Sequence, residues 1–243
     1  MEAVKAELMS EVLLGRATLS TLQPVGGGTL GGRVYNQLRD FLMVGGVQPG
    51  EKITLRELTG AFGTSLMPVR EAVQRLAAEG ALEVLPNRAI RVPLMTRDRV
   101  QEILKVRLML EGMAVEEAAA RVDNAHIEEL ESLDALFAEE LRRRDDSARL
   151  FRVNKEFHFS VYRAAKMPVL LAIIENLWLQ IGPFLHFSLG VRGREATRKF
   201  VPGSHSMLIR AMRNRDGALA RKALAKDLCG AAELILRHGN LHE

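Results

Sequence analysis

The sequence is poor in cysteine, because Cys229 is the single one among 243 residues. One cysteine cannot form an intramolecular disulfide bond, and zinc modules built on several cysteines are excluded as well. This usage is typical of a protein in a reducing compartment, so the sequence predicts a cytoplasmic location. We expect Cys229 itself to be an inert residue of the core.

Targeting signals and long apolar runs are also lacking. Acidic residues interrupt residues 2–14, and no small-residue cleavage site follows, which argues against a signal peptide. The longest nearly apolar stretches, Val106–Ala120 and Val169–Ile181, contain charges and fall short of the roughly 20 residues that a membrane-spanning helix needs. We therefore expect no contact with a membrane.

Neither sign of charge dominates. The chain has 34 Lys and Arg against 30 Asp and Glu, which gives a formal net charge of +4 and a pI near 9.4. This excess permits contact with a polyanion such as DNA but does not require it. With 47% hydrophobic and 26% charged residues, the chain has room for one large or two modest globular domains.

Three segments of different character follow one another. Residues 1–29 lack apolar periodicity and end in three glycines, so we expect a flexible arm. Residues 30–95 predict short amphipathic helices and two final strands, whereas residues 96–243 show helical stripes throughout. The fold class is therefore mainly α, with an N-terminal winged helix-turn-helix and a C-terminal all-helical bundle of about six helices.

Two helices joined by a tight turn are predicted in the first domain. Thr54 and Glu57 form a capping-box pattern at the start of one helix, and Gly63 ends it. Ser65 can cap the next helix, and Pro68 falls in its first turn. Two short alternating strands around a turn follow and predict a wing.

The second of these helices has a face that suits DNA recognition. Only the face opposite its apolar stripe can reach base edges in the major groove. We expect DNA contacts there from Ser65, Leu66, Met67, Arg70 and Gln74. Arg70 is the best candidate for a bidentate bond to guanine, whereas Arg56 and Arg88 are better placed for phosphates. The alternative for Arg56 and Arg88 is a merely solvated surface.

Four polar side chains fall on otherwise apolar stripes of the helical half. Asn154 and His158 lie one helical turn apart, and His205 and Asp227 each lie on the stripe of a later helix. Burying them unpaired would be costly, and a divalent cation or a hydrogen-bonded cluster with water would offset that cost. The sequence predicts that three helices bring these residues to one interior point.

The segment Leu30–Thr96 closely resembles the GntR superfamily of winged-helix regulators. The resemblance is carried by Val34-Tyr35 with Leu38, Val47 through Glu51, Arg56-Glu57-Leu58, Ser65 through Ala72, and Arg75-Leu76 with Glu79-Gly80. It implies a homodimer that places two recognition helices on a palindromic DNA operator. Leu66 stands where the family commonly has arginine and Ala89 where it commonly has glycine, so the preferred operator sequence can differ.

The helical half resembles the FadR-like branch of that superfamily, whose C-terminal FCD-type domain senses small, usually carboxylate-bearing metabolites. In metal-binding members of this branch, an acid or amide and a histidine at the spacing of Asn154 and His158 join two further histidines. Here His205 matches one of those histidines, and Asp227 takes the place of the other. The resemblance implies a metal site, and this donor set suits zinc, nickel or manganese.

Arg107, in the first helix of the sensor domain, is a candidate anchor for the carboxylate of an effector. An ion pair with Glu111, one helical turn further on, is the alternative. The resemblance thus implies a transcriptional regulator, commonly a repressor in such proteins, whose DNA binding is controlled by a small carboxylate. Other readings are that the metal itself is sensed, that it is purely structural, or that the chain is a metal-dependent hydrolase. No HExxH motif, nucleophile elbow or phosphate loop supports the hydrolase.

Overall fold

Two units make up the chain, Met1–Leu94 and Met95–Glu243. The structure, a computed structural model, describes residues 29–86, 89–143, 146–191 and 203–242. The arm expected at residues 1–29 lies outside the described residues except for Thr29, and the expected phosphate contact Arg88 lies outside them as well.

The first unit contains three described helices and a small sheet. The helices are α1 (Leu30–Met43), α2 (Leu55–Phe62) and α3 (Leu66–Ala78), and the strands are β1 (Lys52–Ile53), β2 (Glu83–Val84) and β3 (Ile90–Arg91). The strand order is β1-β3-β2 with both pairings antiparallel, so that Ile53 and Val84 each lie opposite Ile90. The predicted winged helix-turn-helix is therefore confirmed, with β2 and β3 as the wing.

Local hydrogen bonds define the start and the end of α2. The side chain of Thr54 accepts from the backbone N–H of Glu57 at 3.2 Å, and the carboxylate of Glu57 accepts from the backbone N–H of Thr54 at 2.8 Å. This reciprocal pair is the predicted capping box, and it satisfies two donors that the first helical turn leaves free. At the other end Gly63 adopts φ of +59°, a left-handed conformation that favours glycine.

The cap expected from Ser65 is absent, although Ser65 does occupy the position before α3. A capping oxygen normally accepts from the N–H of the second or third helical residue. The third residue of α3 is Pro68, which has no N–H, so half of the usual donors are missing. The hydroxyl of Ser65 makes no hydrogen bond to the backbone of α3 and is exposed.

Apolar faces of the three helices close the core of the first unit. The side chains that are at most 2% exposed include Val34, Leu38, Leu58, Phe62, Val69, Val73 and Leu76. A polar contact at the edge joins α1 to α3, because the hydroxyl of Tyr35 donates to Glu79 at 2.8 Å while Arg75 lies 3.7 Å above the ring of Tyr35. These contacts set which face of α3 remains exposed.

The second unit is all-helical in its described residues, as predicted. Its helices are α4 (Arg97–Arg121), α5 (Asn124–Arg143), α6 (Ser147–Ala164), α7 (Pro168–Val191), α8 (Ser204–Arg213) and α9 (Gly217–His238). Helix α9 packs against α4, α7 and α8, while α6 packs against α4, α5 and α7. Side-chain oxygens of Thr96, Asp146 and Asp216 cap α4, α6 and α9. These packings place α6, α8 and α9 around a shared interior.

Two expectations about this unit are wrong. The apolar stretch of α7 is longer than expected, and Pro168–Leu189, with a mean hydropathy of 1.5, is long and apolar enough to cross a membrane. Half of it is buried inside the protein, however, and Trp178 and Phe184 are at most 1% exposed, as in the core helix of a globular domain. Cys229 is exposed rather than buried, because the buried stripe of α9 runs along Ala223, Asp227 and Ala231 instead.

Burial of His186 makes the stability of this unit depend on pH. The ring of His186 lies edge-on to Phe151, and one ring nitrogen is 3.3 Å from the hydroxyl of Ser147. Desolvation by burial lowers the pKa of His186 to about 4. An unfolded chain takes up a proton near pH 6.5, whereas the folded chain resists it down to about pH 4. Stability is therefore fully present above about pH 6.5 and falls as the pH is lowered through this window.

We expect His186→Gln to remove this part of the pH dependence, because glutamine does not titrate. Between pH 7.5 and pH 4.5 the free energy of unfolding of the wild type should fall by up to about 3 kcal/mol more than that of the variant. Urea unfolding at the two pH values measures the difference. Parallel pH profiles for the two proteins would show that His186 is not the titrating group.

Candidate DNA-binding surface and buried cation site

Helix α3 presents one buried face and one exposed face. Pro68, Val69, Ala72, Val73 and Leu76 are buried against the rest of the first unit. The residues expected to contact DNA lie on the other face, and each is exposed: Ser65, Leu66, Met67, Arg70 and Gln74. Two of these are apolar, with Leu66 42% and Met67 57% exposed. The surface therefore combines donors with apolar groups that could contact the methyl group of thymine.

The arginines of the first unit differ in whether they have partners. Arg75 pairs with Glu79 at 3.1 Å and Arg91 pairs with Glu83, so both guanidinium groups are engaged. Arg56 and Arg70 are exposed, and neither has a hydrogen bond or ion pair with any described residue. A guanidinium without an internal partner keeps its donors for guanine or phosphate.

The four polar residues singled out in the helical half are all buried. Asn154 and His158 lie on α6, His205 on α8 and Asp227 on α9, with exposures of 3%, 1%, 4% and 6%. The ligand atoms of His158, His205 and Asp227 lie within 4.8 Å of one another. Nε2 of His158 is 3.1 Å from Oδ2 of Asp227, and Nε2 of His205 is 4.0 Å from Oδ1. The structure thus joins these three in one cluster, and Asn154 lies buried one helical turn before His158.

Several polar atoms of this cluster have no hydrogen bond to any of the residues that the structure describes. They are Oδ1 of Asn154, Nε2 of His158 and both ring nitrogens of His205. Each unsatisfied buried polar atom costs about 1–3 kcal/mol. Two imidazoles, a carboxylate and an amide oxygen are donors that a divalent transition metal accepts. The residues present therefore fit a cation, which would give the unpaired atoms a common partner.

Asp227 provides the negative charge of the cluster. Burial would raise the pKa of its carboxyl, but the interactions with His158, His205 and Ser204 outweigh burial and hold the pKa of Asp227 below its ordinary value. The hydroxyl of Ser204 donates to Oδ1 of Asp227 at 2.7 Å. Asp227 is therefore an anion held in place by a residue next to His205 in the sequence.

Asp134 is a neighbour of the cluster that the sequence analysis did not single out. Its Oδ1 lies 3.3 Å from Nδ1 of His205, and its Oδ2 accepts from Ser206 at 3.1 Å. The other side of the His205 ring stacks on Phe157 with centroids 3.9 Å apart. Asp134 lies on α5 among several exposed acids, so no pattern in the sequence distinguishes it.

Arg107 is buried and has an internal partner. Its Nε lies 2.5 Å from Oε1 of Glu111 and its Nη2 lies 3.3 Å from Oε2, while the guanidinium is 4.8 Å from the ring centre of Trp178. Burial opposes the charge, but Glu111 outweighs burial and raises the pKa of Arg107. The structure thus contains the ion pair between Arg107 and Glu111, which the sequence analysis gave as the alternative to an effector anchor. An effector carboxylate would have to share or displace Glu111.

A small pocket beside Arg107 is the other feature of this region. It is lined by aliphatic side chains of α4, α7 and α9, among them Ile103, Ile181 and Ile235, with Arg107 as the polar residue of the lining. The polar cluster and this pocket are two separate places in the bundle, because the lining residues of the pocket include none of the cluster's ligands.

Comparison with known proteins gives matches over both units. The model of the gntR family of bacterial regulatory proteins matches residues 30–92, and that of the FCD domain matches residues 102–228. The chain is 32% identical over 196 residues to the HTH-type transcriptional regulator McbR of Escherichia coli (strain K12), which covers 80% of this chain and 87% of McbR. It is 26% identical over 196 residues to the gluconate operon transcriptional repressor of Bacillus subtilis (strain 168), with 80% of each chain covered.

A solved structure supports the same likeness. The structure of E. coli McbR/YncC superposes with a TM-score of 0.77 at 28% sequence identity. The superposition covers 87% of this chain and 99% of the other.

We expect Arg107→Met to lower the free energy of unfolding by about 3–5 kcal/mol, because it leaves Glu111 buried without its counter-charge. The hydroxyl of Tyr162 donates to the carboxylate of Glu111. Adding Glu111→Gln should restore most of the loss, since the neutral amide oxygen can still accept this hydrogen bond. Arg221→Met is a control for an exposed ion pair, because Arg221 on α9 pairs with Glu116 on α4 at 2.7 Å and both side chains are exposed. Its loss should stay within about 1 kcal/mol.

Urea unfolding of the four proteins measures these differences. A loss from Arg107→Met as small as that from Arg221→Met would contradict a stabilising role for the buried pair, and would favour the effector anchor instead.

Proposed function

The chain belongs to the GntR family of bacterial regulatory proteins and has an FCD domain after its winged helix, and from this membership we propose a transcriptional repressor whose DNA binding depends on a cation and a small carboxylate. Its relatives are transcriptional regulators, some of them named as repressors. The observation that supports the sensor most directly is the group of unpaired buried atoms on Asn154, His158 and His205.

We propose that residues 30–95 bind the operator and that residues 96–243 form the effector domain, with residues 1–29 as an arm. A homodimer would place its two α3 helices in successive major grooves of a palindrome. Arg70 would bond guanine, with Ser65, Leu66, Met67 and Gln74 beside it, and Arg56 and Arg88 would bind phosphates. The exposure of α3 and the free guanidinium groups of Arg56 and Arg70 support this assignment.

In the effector domain, Asn154, His158, His205 and Asp227 would hold a zinc, nickel or manganese ion. The ion would act as a Lewis acid that binds a carboxylate oxygen of the effector. The chain's own residues orient this site, since Ser204 fixes Asp227 and Phe157 stacks on His205. An effector changes DNA affinity only if it binds the two states of the dimer unequally.

A second candidate function is that the ion itself is the signal or a structural element. The deep burial of the cluster and the engagement of Arg107 by Glu111 favour it, because both limit the room and the charge available to an organic anion. No enzymatic activity is proposed, since the relatives are regulators. The proposed location is the cytoplasm, where the operator would be found.

Selection from a random pool of duplex DNA with the purified protein gives an operator for the test of α3. Arg70→Ala should lose about 1–3 kcal/mol of preference for that operator over a scrambled duplex, because a bidentate bond to guanine is removed. Arg56→Ala, the control, should weaken binding to both duplexes by a similar factor. Fluorescence anisotropy measures the affinities. Unchanged selectivity in Arg70→Ala would refute the assignment of α3 as the recognition helix.

Thermal melting of metal-stripped protein tests the cation and the effector. A ligand at a hundredfold its Kd stabilises the folded protein by about 2.7 kcal/mol, which shifts the Tm by several degrees. Zinc, nickel and manganese are added with and without a panel of small carboxylic acids. An acid that raises the Tm only when metal is present supports the metabolite sensor. A rise in the Tm with metal alone, to which no acid adds, supports the second candidate function.

The variants His158→Ala and His205→Ala should abolish the metal-dependent shift. His126→Ala is the control, because the side chain of His126 is 41% exposed and lies outside the cluster. Unchanged metal content in the His158 and His205 variants would exclude them as ligands.

A further inference from the structure

The phenol of Tyr162 lies between a buried carboxylate and His158. Its hydroxyl donates to Oε2 of Glu111, and its oxygen is 3.3 Å from Nδ1 of His158. Tyr162 is 1% exposed, Glu111 is not exposed at all, and His158 is 1% exposed. Water therefore has little access to these three groups, and the groups must satisfy one another.

A count of hydrogens determines the direction of each bond. A phenol has one hydrogen, and the charged carboxylate of Glu111 is the stronger acceptor for it. An ordinary phenol retains this hydrogen at neutral pH. With its hydrogen directed to Glu111, the phenol oxygen can only accept from His158. Nδ1 of His158 must then carry the hydrogen.

The other ring nitrogen of His158, Nε2, faces Asp227 instead of Tyr162. If a neutral His158 carries its hydrogen on Nδ1, then Nε2 has a free lone pair. That lone pair faces the carboxylate of Asp227, whose Oδ2 lies 3.1 Å from Nε2. Two acceptors at this distance repel each other unless a positive charge lies between or beside them. A cation bound by both would relieve this repulsion.

We propose that Tyr162 is a positioning residue, which holds His158 in the tautomer that presents Nε2 to the cation and is itself held by Glu111. This inference rests on the proposed cation site and adds residues that do not touch the ion. Outer partners of this kind fix the ring orientation and the basicity of a ligating histidine. The arrangement also gives Arg107 a role, because its ion pair holds the carboxylate of Glu111 in place to accept from Tyr162.

The two histidines of the cluster, His158 and His205, differ in the group that lies next to Nδ1. The partner nearest to Nδ1 of His205 is Asp134, which is one-quarter exposed, whereas the partner of Nδ1 of His158 is a buried phenol. Loss of the Tyr162 hydroxyl should therefore affect His158 and leave His205 unchanged.

The test compares the affinity of the full-length, metal-stripped protein for zinc in competition with a chromophoric chelator. We expect Tyr162→Phe to weaken zinc binding by about 10- to 100-fold, the usual effect of removing an outer-shell partner. The other tyrosine of the chain provides a matched control, since Tyr35 also donates to a carboxylate, that of Glu79, in the DNA-binding unit. Tyr35→Phe should bind zinc like the wild type.

A second measurement uses the wild type alone and does not depend on the folding of a variant. Long-range ¹H–¹⁵N spectra of protein labelled with ¹⁵N-histidine report which ring nitrogen holds the metal and which holds the hydrogen. In the zinc-loaded protein we expect the metal on Nε2 of His158 and the hydrogen on Nδ1. The metal on Nδ1 would overturn the inference.

The outcomes separate the inference from the proposed function. If Tyr162→Phe binds zinc as tightly as the wild type does, the positioning role is wrong while the cation site stands. If the wild type itself binds no zinc, nickel or manganese, the cation site is wrong and the role of Tyr162 is wrong with it. Weaker binding in Tyr162→Phe alone, with the metal on Nε2 of His158 in the wild type, supports both.

Discussion

The helical domain depends on the exclusion of water from charged and polar groups at its centre. Arg107, Glu111 and Asp227 are ionic, and each is at most 6% exposed, so none can rely on solvent for its charge. Arg107 and Glu111 neutralise each other, and Tyr162 donates a further hydrogen bond to Glu111. Around Asp227 the compensation is incomplete, because the facing nitrogens of His158 and His205 have no hydrogen bond among the described residues. This difference is the reason to expect a cation at one end of the network and none at the other.

The two units use arginine in opposite ways. In the winged helix, Arg56 and Arg70 are exposed and have no described partner, which suits groups that must exchange water for DNA. In the helical domain, Arg107 is covered by Trp178 and paired with Glu111. The exposed arginines can contribute to DNA binding. The buried Arg107 contributes to the stability of the helical domain unless a ligand competes for its guanidinium. Composition alone cannot distinguish these uses, since burial makes the difference.

Much of the fold follows from local sequence patterns. The missing cap at Ser65, which departs from the prediction, also has a local cause. The capping box of Thr54 and Glu57 depends on neighbouring residues, and it forms as predicted. The cap from Ser65 was also a local prediction, but it overlooked that Pro68 removes a donor from the first turn of α3. The helical stripes placed Asn154, His158, His205 and Asp227 in the interior, because a polar residue on an apolar stripe is buried with its neighbours.

The sequence by itself determined the fold class, the family, the exposed face of α3 and the inward direction of the four polar residues, because each depends on periodicity or on neighbours in the chain. Only the tertiary structure decided which side chains these buried polar residues contact. It brought Asp134 to His205, Glu111 to Arg107 in preference to a free guanidinium, and Tyr162 between Glu111 and His158. These contacts join residues on different helices, or choose one of several possible partners. Their distances follow from how the helices pack, which local sequence patterns do not specify.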